Sequence, residues 1–352
     1  MPLIAHNDLP SYARLADEGQ VVIGDERARH QDIRELHIGL LNMMPDAALE
    51  ATERQFLRLV GNSNRIAQMY VHLFSVDGLG RGPAARDHIA RHYQTFEQIA
   101  AAGLDALIIT GANITGPDLT RENFYPPMTE VTDWARDSVT SVLCSCLASH
   151  AVWRHYHDIE RRRLDKKLWG VFEHRTIARD HPIVSGVNTR FEAPHSRYND
   201  VSRSQLEAAG ITVLTESETA GVLLAASADG LRFVYVQGHP EYDTASLAKE
   251  YKREVNRYRS GERNQYPPYP RNYFDPASRD ILEDYRARVL AGCDNGFPDA
   301  ELDRHLDNTW TDTGKSIFNN WLGLVYQVTG LERNKPFMQG VNAADPLHLD
   351  WH

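Results

Sequence analysis

No run of roughly 18 apolar residues occurs in the sequence, so no segment is expected to cross a membrane. The first ten residues, "MPLIAHNDLP", lack the basic start and apolar stretch of a secretory signal. Only three cysteines are present, Cys144, Cys146 and Cys293. That number is too small and too odd for a disulfide framework, and a reducing cytoplasm is the expected compartment. Basic charge is also short: 38 Lys and Arg face 48 Asp and Glu, a formal net charge of −10. Such a chain gains nothing from phosphate attraction, which argues against nucleic acid as a partner. Any anionic ligand then needs a local basic patch. No internal repeat or low-complexity tract is visible.

What is present is alternation. "LHIGLLN", "YVHLFSV", "DALIITG" and "VTSVLC" are apolar runs that suit parallel strands covered on both faces. Between them lie helix-like segments: "ATERQFLRLVG" with Gly61 as its stop signal, "FEQIAAAGL", and "MTEVTDWARDSV" with Met128, Val131, Trp134 and Ala135 inward. The order predicts βαβ units in an α/β fold with a doubly wound, mostly parallel sheet. Further on, "GVLLAASADGLRFVYVQG" predicts two strands joined at Asp229-Gly230. "TASLAKEYKREVNRY" and "FNNWLGLVYQVTG" predict helices, and "NQYPPYPRNYFDPA" a proline-rich loop. Residues 1–35 are expected to form an N-terminal arm, 36–330 the catalytic domain and 331–352 a C-terminal tail. Gly111, Cys144 to Cys146 and Gly238 fall at the C-terminal ends of strands, the edge where open α/β sheets bind ligands.

"VLCSCLASHAVW" carries two thiols one residue apart. Zinc wants four ligands at recognisable spacing and a redox pair is usually Cys-x-x-Cys, so neither is expected, and no metal is assigned. Cys144 sits within an apolar strand, where burial alone accounts for it. Cys146 stands where the strand meets the small-residue helix "LASHAVW". Free N–H groups at a helix start favour a thiolate there, and the Leu147 amide can serve as an oxyanion donor. This is the placement of a nucleophile elbow without the flanking glycines of Gly-x-Ser-x-Gly. "VQGHPEYD" supplies partners. Pro240 biases His239 toward an extended conformation, in which Glu241 faces the same way and can orient the ring, as the acid of a triad does. A plain turn is the competing reading of that tripeptide.

Taken in order, "NMMP", "TERQFLRLVGNS", "LIITGA", "DWARDSVTSVLCSC", "GVFEHR", "APHSRY", "GHPEYD" and "KEYKREV" resemble the MetA-type homoserine O-acyltransferases, also called homoserine trans-succinylases. The resemblance runs from about Leu9 to Gln327. It implies a class I glutamine amidotransferase-like (flavodoxin-like) fold and a Cys-His-Glu triad. It also implies a ping-pong reaction with L-homoserine and succinyl-CoA at the entry to methionine biosynthesis, without a cofactor, in a homodimer. The family's nucleophile falls on Cys146, its base on His239 and its acid on Glu241. Residues implied to hold substrate fall on Lys167, Ser196 and Arg253. An arginine can grip the homoserine carboxylate bidentately. Lys166, Lys167 and Arg175 are candidate positives for the anionic CoA. Backbone amides of Ala112 and Leu147 are expected to face the oxyanion.

The chain also departs from the family. Where the family follows its cysteine with Trp and closes in Gln-Ala, this chain has "CLASHA", with Leu147 and His150. The lysine after "NMMP" is absent from "PDAALEATE". The position that tracks the acyl donor, glutamate for acetyl and glycine for succinyl, holds Thr115. Threonine does not repel a succinyl carboxylate, although it is bulkier than glycine, and succinyl is the expected donor. Acetyl transfer is the sibling reading. Glutamine amidotransfer, a non-catalytic binding module, and serine as acceptor are the alternatives.

Overall fold

The computed structural model describes residues 3–29, 34–63, 67–114, 116–293, 296–330, 333, 342 and 344–347. Thr115 and most of 331–352 lie outside them.

In chain order the elements are β1 (Leu3–Ala5), α1 (Pro10–Asp17), β2 (Val22–Gly24), α2 (Asp25–Arg29), β3 (Glu35–Leu41), α3 (Leu49–Ser63), β4 (Gln68–Phe74), α4 (Pro83–His92), α5 (Phe96–Ala102), β5 (Ala106–Ile109), α6 (Tyr125–Ser138), β6 (Ser141–Ser145) and α7 (Leu147–His157). There follow β7 (Arg162–Thr176), β8 (Arg190–Asp200), α8 (Arg203–Ala208), β9 (Thr212–Ser217), β10 (Gly221–Ala226), β11 (Phe233–Val236), α9 (Ser246–Arg259), α10 (Pro276–Leu290), α11 (Asp299–Leu302) and α12 (Thr311–Val328).

Among the described residues, all eleven strands join one sheet in the order β2-β1-β4-β3-β5-β6-β11-β10-β9-β7-β8. From β2 to β11 every pairing is parallel, and from β11 to β8 every pairing is antiparallel. Within the parallel part, β4-β3-β5-β6-β11 is the flavodoxin order, which reverses direction beside β3. The C-terminal ends of β3, β5, β6 and β11 therefore open onto one edge.

Both faces of this sheet are covered, which is why its central strands read as unbroken apolar runs. Leu36, Ile38, Leu40, Ile108 and Leu143 pack with Phe56, Phe318 and Trp321 on one face. Leu107, Ile109, Val142 and Cys144 pack with Met128, Val131 and Trp153 on the other. Cys144 is a core residue, as its strand position implied. Trp134 is only half-buried, meeting Phe96 edge-on with ring centroids 5.5 Å apart.

One local reading changes. Gly61 does not end α3, which runs on to Ser63. It lets β1 come close instead: a Cβ there would lie 2.9 Å from Leu3 Cγ. Residues 3–24 contribute two parallel strands to the sheet edge, with Leu3 opposite Val22 and Met69. A third group of side chains, Trp169, Tyr251, Phe274, Tyr285 and Trp310, packs α9 and α10 against β7. Gly170 adopts φ +138°, and a Cβ there would lie 2.1 Å from the Arg271 carbonyl oxygen, so glycine alone admits this loop against the strand.

Candidate active site

Cys146 links β6 to α7 with φ +52° and ψ −109°, a conformation that side-chain-bearing residues rarely adopt. Its neighbours hold it there. The Cys146 N–H donates to the Val236 carbonyl at 2.6 Å, and its own carbonyl accepts from Ser149 N–H at 3.1 Å. The turn lifts the thiol out of the sheet at the head of α7, where the first backbone N–H groups have no partner within the helix. Leu147 is the first helical residue, and a Cβ on Gly111 would stand 3.8 Å from its nitrogen. The end of β5 and the start of α7 thus meet at the thiol, which brings Ala112 and Leu147 to the same edge.

His239 and Glu241 come from the segment after β11. Tyr242 N–H donates to the His239 carbonyl at 3.1 Å, so the segment is a turn rather than an extended strand. The turn still brings both side chains together: His239 Nδ1 lies 2.7 Å from Glu241 Oε1. Both residues are buried. The other ring nitrogen is left for Cys146, which interacts electrostatically with the imidazole. Burial alone would depress the His239 pKa, but the Glu241 carboxylate and Cys146 outweigh it and hold it well above the ordinary histidine value. The turn and the His239–Glu241 pairing, posed as alternatives in the sequence, are the same feature.

Lys167 on β7 and Ser196 on β8 converge on a residue that sequence reasoning missed. Lys167 Nζ lies 2.8 Å from Glu250 Oε2, and Ser196 Oγ donates to the same oxygen at 2.7 Å. Tyr242 OH donates to Glu250 Oε1 at 2.6 Å, and its ring stacks on His239 with centroids 4.3 Å apart. Burial works against a charge on Glu250, yet Lys167 and the two hydroxyl donors hold its pKa down at about 2. Lys167 also lies over the Trp169 ring, 4.3 Å from its centroid. Arg253 follows Glu250 by three residues on α9, so it shares that side of the helix. It is exposed. Lys166 and Arg175 are exposed as well.

The departing His150 is buried on α7, with Nε2 2.9 Å from the Gln237 carboxamide oxygen. Gln237 in turn donates to the Val222 carbonyl at 2.9 Å. His150 therefore ties α7, which follows Cys146, to the segment carrying His239. Burial lowers its pKa to about 3 and keeps it neutral. The histidines of "GVFEHR" and "APHSR" form a second buried chain. Arg197 Nε donates to His195 Nδ1 at 3.4 Å, which leaves the proton on His195 Nε2 to bridge to His174 Nε2 at 3.0 Å. His174 Nδ1 then donates to the Phe172 carbonyl at 2.8 Å. This chain backs Pro194, whose carbonyl accepts from His239 N–H at 2.8 Å.

The loop after "NMMP" lacks the family's lysine but is held by Arg81. That side chain reaches the carbonyls of Met44 and Asn42 and lies 3.3 Å from Asp46 Oδ1. Among the described residues no group of His, Cys, Asp and Glu is placed to hold a metal ion, and no helix is long and apolar enough to cross a membrane.

Residues 2–331 match the profile of the homoserine O-succinyltransferase family. A homoserine O-succinyltransferase from Allochromatium vinosum is 58% identical, over 99% of this chain and 99% of that one. One from Methylococcus capsulatus is 56% identical, over 99% of this chain and 100% of its own length. Among solved structures, a glutamine amidotransferase from Thermotoga maritima aligns with a TM-score of 0.44 and 10% identity, over 84% of this chain and 99% of that one. That likeness is too distant to carry an argument about function.

Proposed function

The chain belongs to the homoserine O-succinyltransferase family and is an acyltransferase, and from that premise we propose that it moves a succinyl group from succinyl-CoA to the hydroxyl of L-homoserine through an acyl-cysteine at Cys146. The observation that carries this reading is the triad. Cys146 sits on a strained strand-to-helix turn and interacts electrostatically with His239, whose Nδ1 is held by Glu241.

In the first half-reaction His239 takes the Cys146 proton, and the thiolate attacks the thioester carbonyl. Negative charge gathers on the carbonyl oxygen, where the Ala112 and Leu147 amides stabilise it. The tetrahedral adduct collapses, the C–S bond to CoA breaks, and His239 returns the proton to the CoA sulfur. In the second half-reaction His239 takes the homoserine hydroxyl proton, and the oxygen attacks the acyl-Cys146 carbonyl. Collapse expels the Cys146 thiolate, which His239 reprotonates.

The acceptor is assigned to the Lys167, Ser196 and Arg253 side of His239. Homoserine carries one carboxylate and one ammonium. Arg253 suits the carboxylate and Glu250 the ammonium. The acyl donor is assigned as succinyl-CoA because relatives above half identity carry that name and neutral Thr115 offers no charge against it. The same reading takes the enzyme as a cytoplasmic homodimer that needs no cofactor.

Intact-mass measurement after mixing with succinyl-CoA alone tests the mechanism. A succinyl adduct that is absent in Cys146→Ala, and that is discharged as O-succinylhomoserine on adding homoserine, is expected. Product formed only when both substrates are present together, with no adduct, would replace the ping-pong route with direct transfer.

A further inference from the structure

A succinyl group on Cys146 ends in a carboxylate two methylenes beyond the thioester carbonyl. Inside a closing pocket that charge needs a cation, because an unpaired buried carboxylate is costly. Most cations around the nucleophile are already engaged. Lys167 is paired with Glu250. Arg197 is paired with Asp200 and donates to the Asn199 and Ala220 carbonyls. Arg81 is spent on the Met44 and Asn42 carbonyls and on Asp46.

Arg161 differs. It lies between α7 and β7 and interacts electrostatically with Cys146 and with His150. Its Nη2 donates to the Pro117 carbonyl at 3.2 Å. Its Nη1 is buried and, among the described residues, has no hydrogen-bond partner. Two acids, Glu122 and Asp118, act on it electrostatically, and among the described residues each is engaged elsewhere. Glu122 Oε1 accepts from Gly116 N–H at 2.8 Å. Asp118 accepts from the Thr120 amide and hydroxyl and meets Arg121 at 3.2 Å. Burial accordingly lowers the Arg161 pKa, the mark of a guanidinium short of a counter-ion. A buried donor without a partner calls for an explanation, and a missing ligand oxygen supplies one.

Pro117 belongs to the loop that leaves β5, which also carries Ala112 and the donor-tracking Thr115. Arg161 is thus tied to the loop that follows β5 and lies within electrostatic reach of Cys146. Resting on the succinyl transfer proposed above, we infer that Arg161 is the receptor for the distal carboxylate of the succinyl group, and so a residue that selects a dicarboxylic acyl donor over a neutral one.

The test compares succinyl-CoA with butyryl-CoA, which has the same chain length without the charge, and with acetyl-CoA. Acylation of Cys146 is followed by mass and steady-state turnover by CoA release, in the wild type, Arg161→Gln and Arg161→Lys. Loss of a charge-assisted hydrogen bond predicts that the ratio of kcat/KM for succinyl-CoA over butyryl-CoA falls about 10- to 100-fold in R161Q. The lysine variant, which keeps the charge without the planar fork, should fall between. An unchanged ratio overturns the proposal, whether both donors are retained or both are lost equally. Equal loss is what a contact to the CoA phosphates, or a purely structural arginine, would produce. If the wild type accepts neither donor, the functional reading itself fails and takes this assignment with it.

Discussion

Oε1 of Glu241 lies 2.7 Å from Nδ1 of His239, so the proposed base and acid come from one turn. The carboxylate fixes the ring and outweighs the burial that opposes its positive charge. Glu241→Gln should lower kcat by on the order of 10²-fold or more, the scale of positioned acid–base catalysis. It should also lower the His239 pKa, moving the acid limb of the pH–rate profile to lower pH, since the base must be neutral to accept a proton. The stability effect has a definite sign. A histidine pKa raised by folding stabilises fully below its unfolded value, and that gain is lost as pH rises through the folded value. An E241Q enzyme with an unshifted profile would show that Glu241 does not control the base.

Glu250 joins Lys167, Ser196 and Tyr242 beside that ring. Removing one partner of a buried ion pair leaves the other uncompensated, so Glu250→Ala should cost about 3 kcal/mol in urea unfolding. Lys167→Met combined with E250A should cost clearly less than the sum, because the orphaned charge is gone. Its pKa of about 2 makes this stabilisation complete above the ordinary glutamate value and lost only as pH falls toward 2. Strict additivity would remove the coupling.

Five histidines are kept neutral chiefly by burial: His72 and His150 at about 3, His174 and His181 at about 4, and His195 well below the ordinary value. Each binds a proton more readily when unfolded, so stability must fall as pH drops below about 6.5. At pH 5 each contributes a loss of up to about 2 kcal/mol, and together they rival the whole stability of an ordinary domain. Thermal melts from pH 7 to 5 should therefore show a steep fall in Tm before most carboxylates titrate. A flat profile over that interval would contradict neutral burial of these rings.

Much of this was legible in the sequence because parallel strands covered on both faces announce themselves as apolar runs, and β3, β4, β5 and β6 fall where those runs stand. The β7–β8 hairpin was not. Its start, "RRLDKK", is largely exposed and mixes charges, so no period marks it as a strand. Glu250 was hidden for a related reason: within "KEYKREV" it reads as one more helix surface charge. Only contact with Lys167, 83 residues away, sets it apart. Arg161 carries no motif at all, and its distinction is a missing partner that three dimensions alone reveal. Cys146, His239 and Glu241 were legible because each sits at a strand end, where topology rather than packing decides what meets.

The same strand end predicts a cost built into the nucleophile. Cys146 holds φ +52° while backbone hydrogen bonds to Val236 and Ser149 grip it on both sides. Such a conformation costs of order 1–3 kcal/mol for a residue with a Cβ. Glycine escapes most of that and gives back roughly 0.5–1 kcal/mol through the greater freedom of its unfolded chain. Cys146→Gly should therefore be inactive yet more stable than the wild type by about 1 kcal/mol. Cys146→Ala, equally inactive, keeps the Cβ and should gain nothing from strain relief. Comparing the two by thermal melting separates the loss of the thiol from the release of the backbone. Equal stability of the two variants would mean the elbow is not strained. A higher Tm for glycine alone would locate the strain in the conformation that lifts the thiol toward His239.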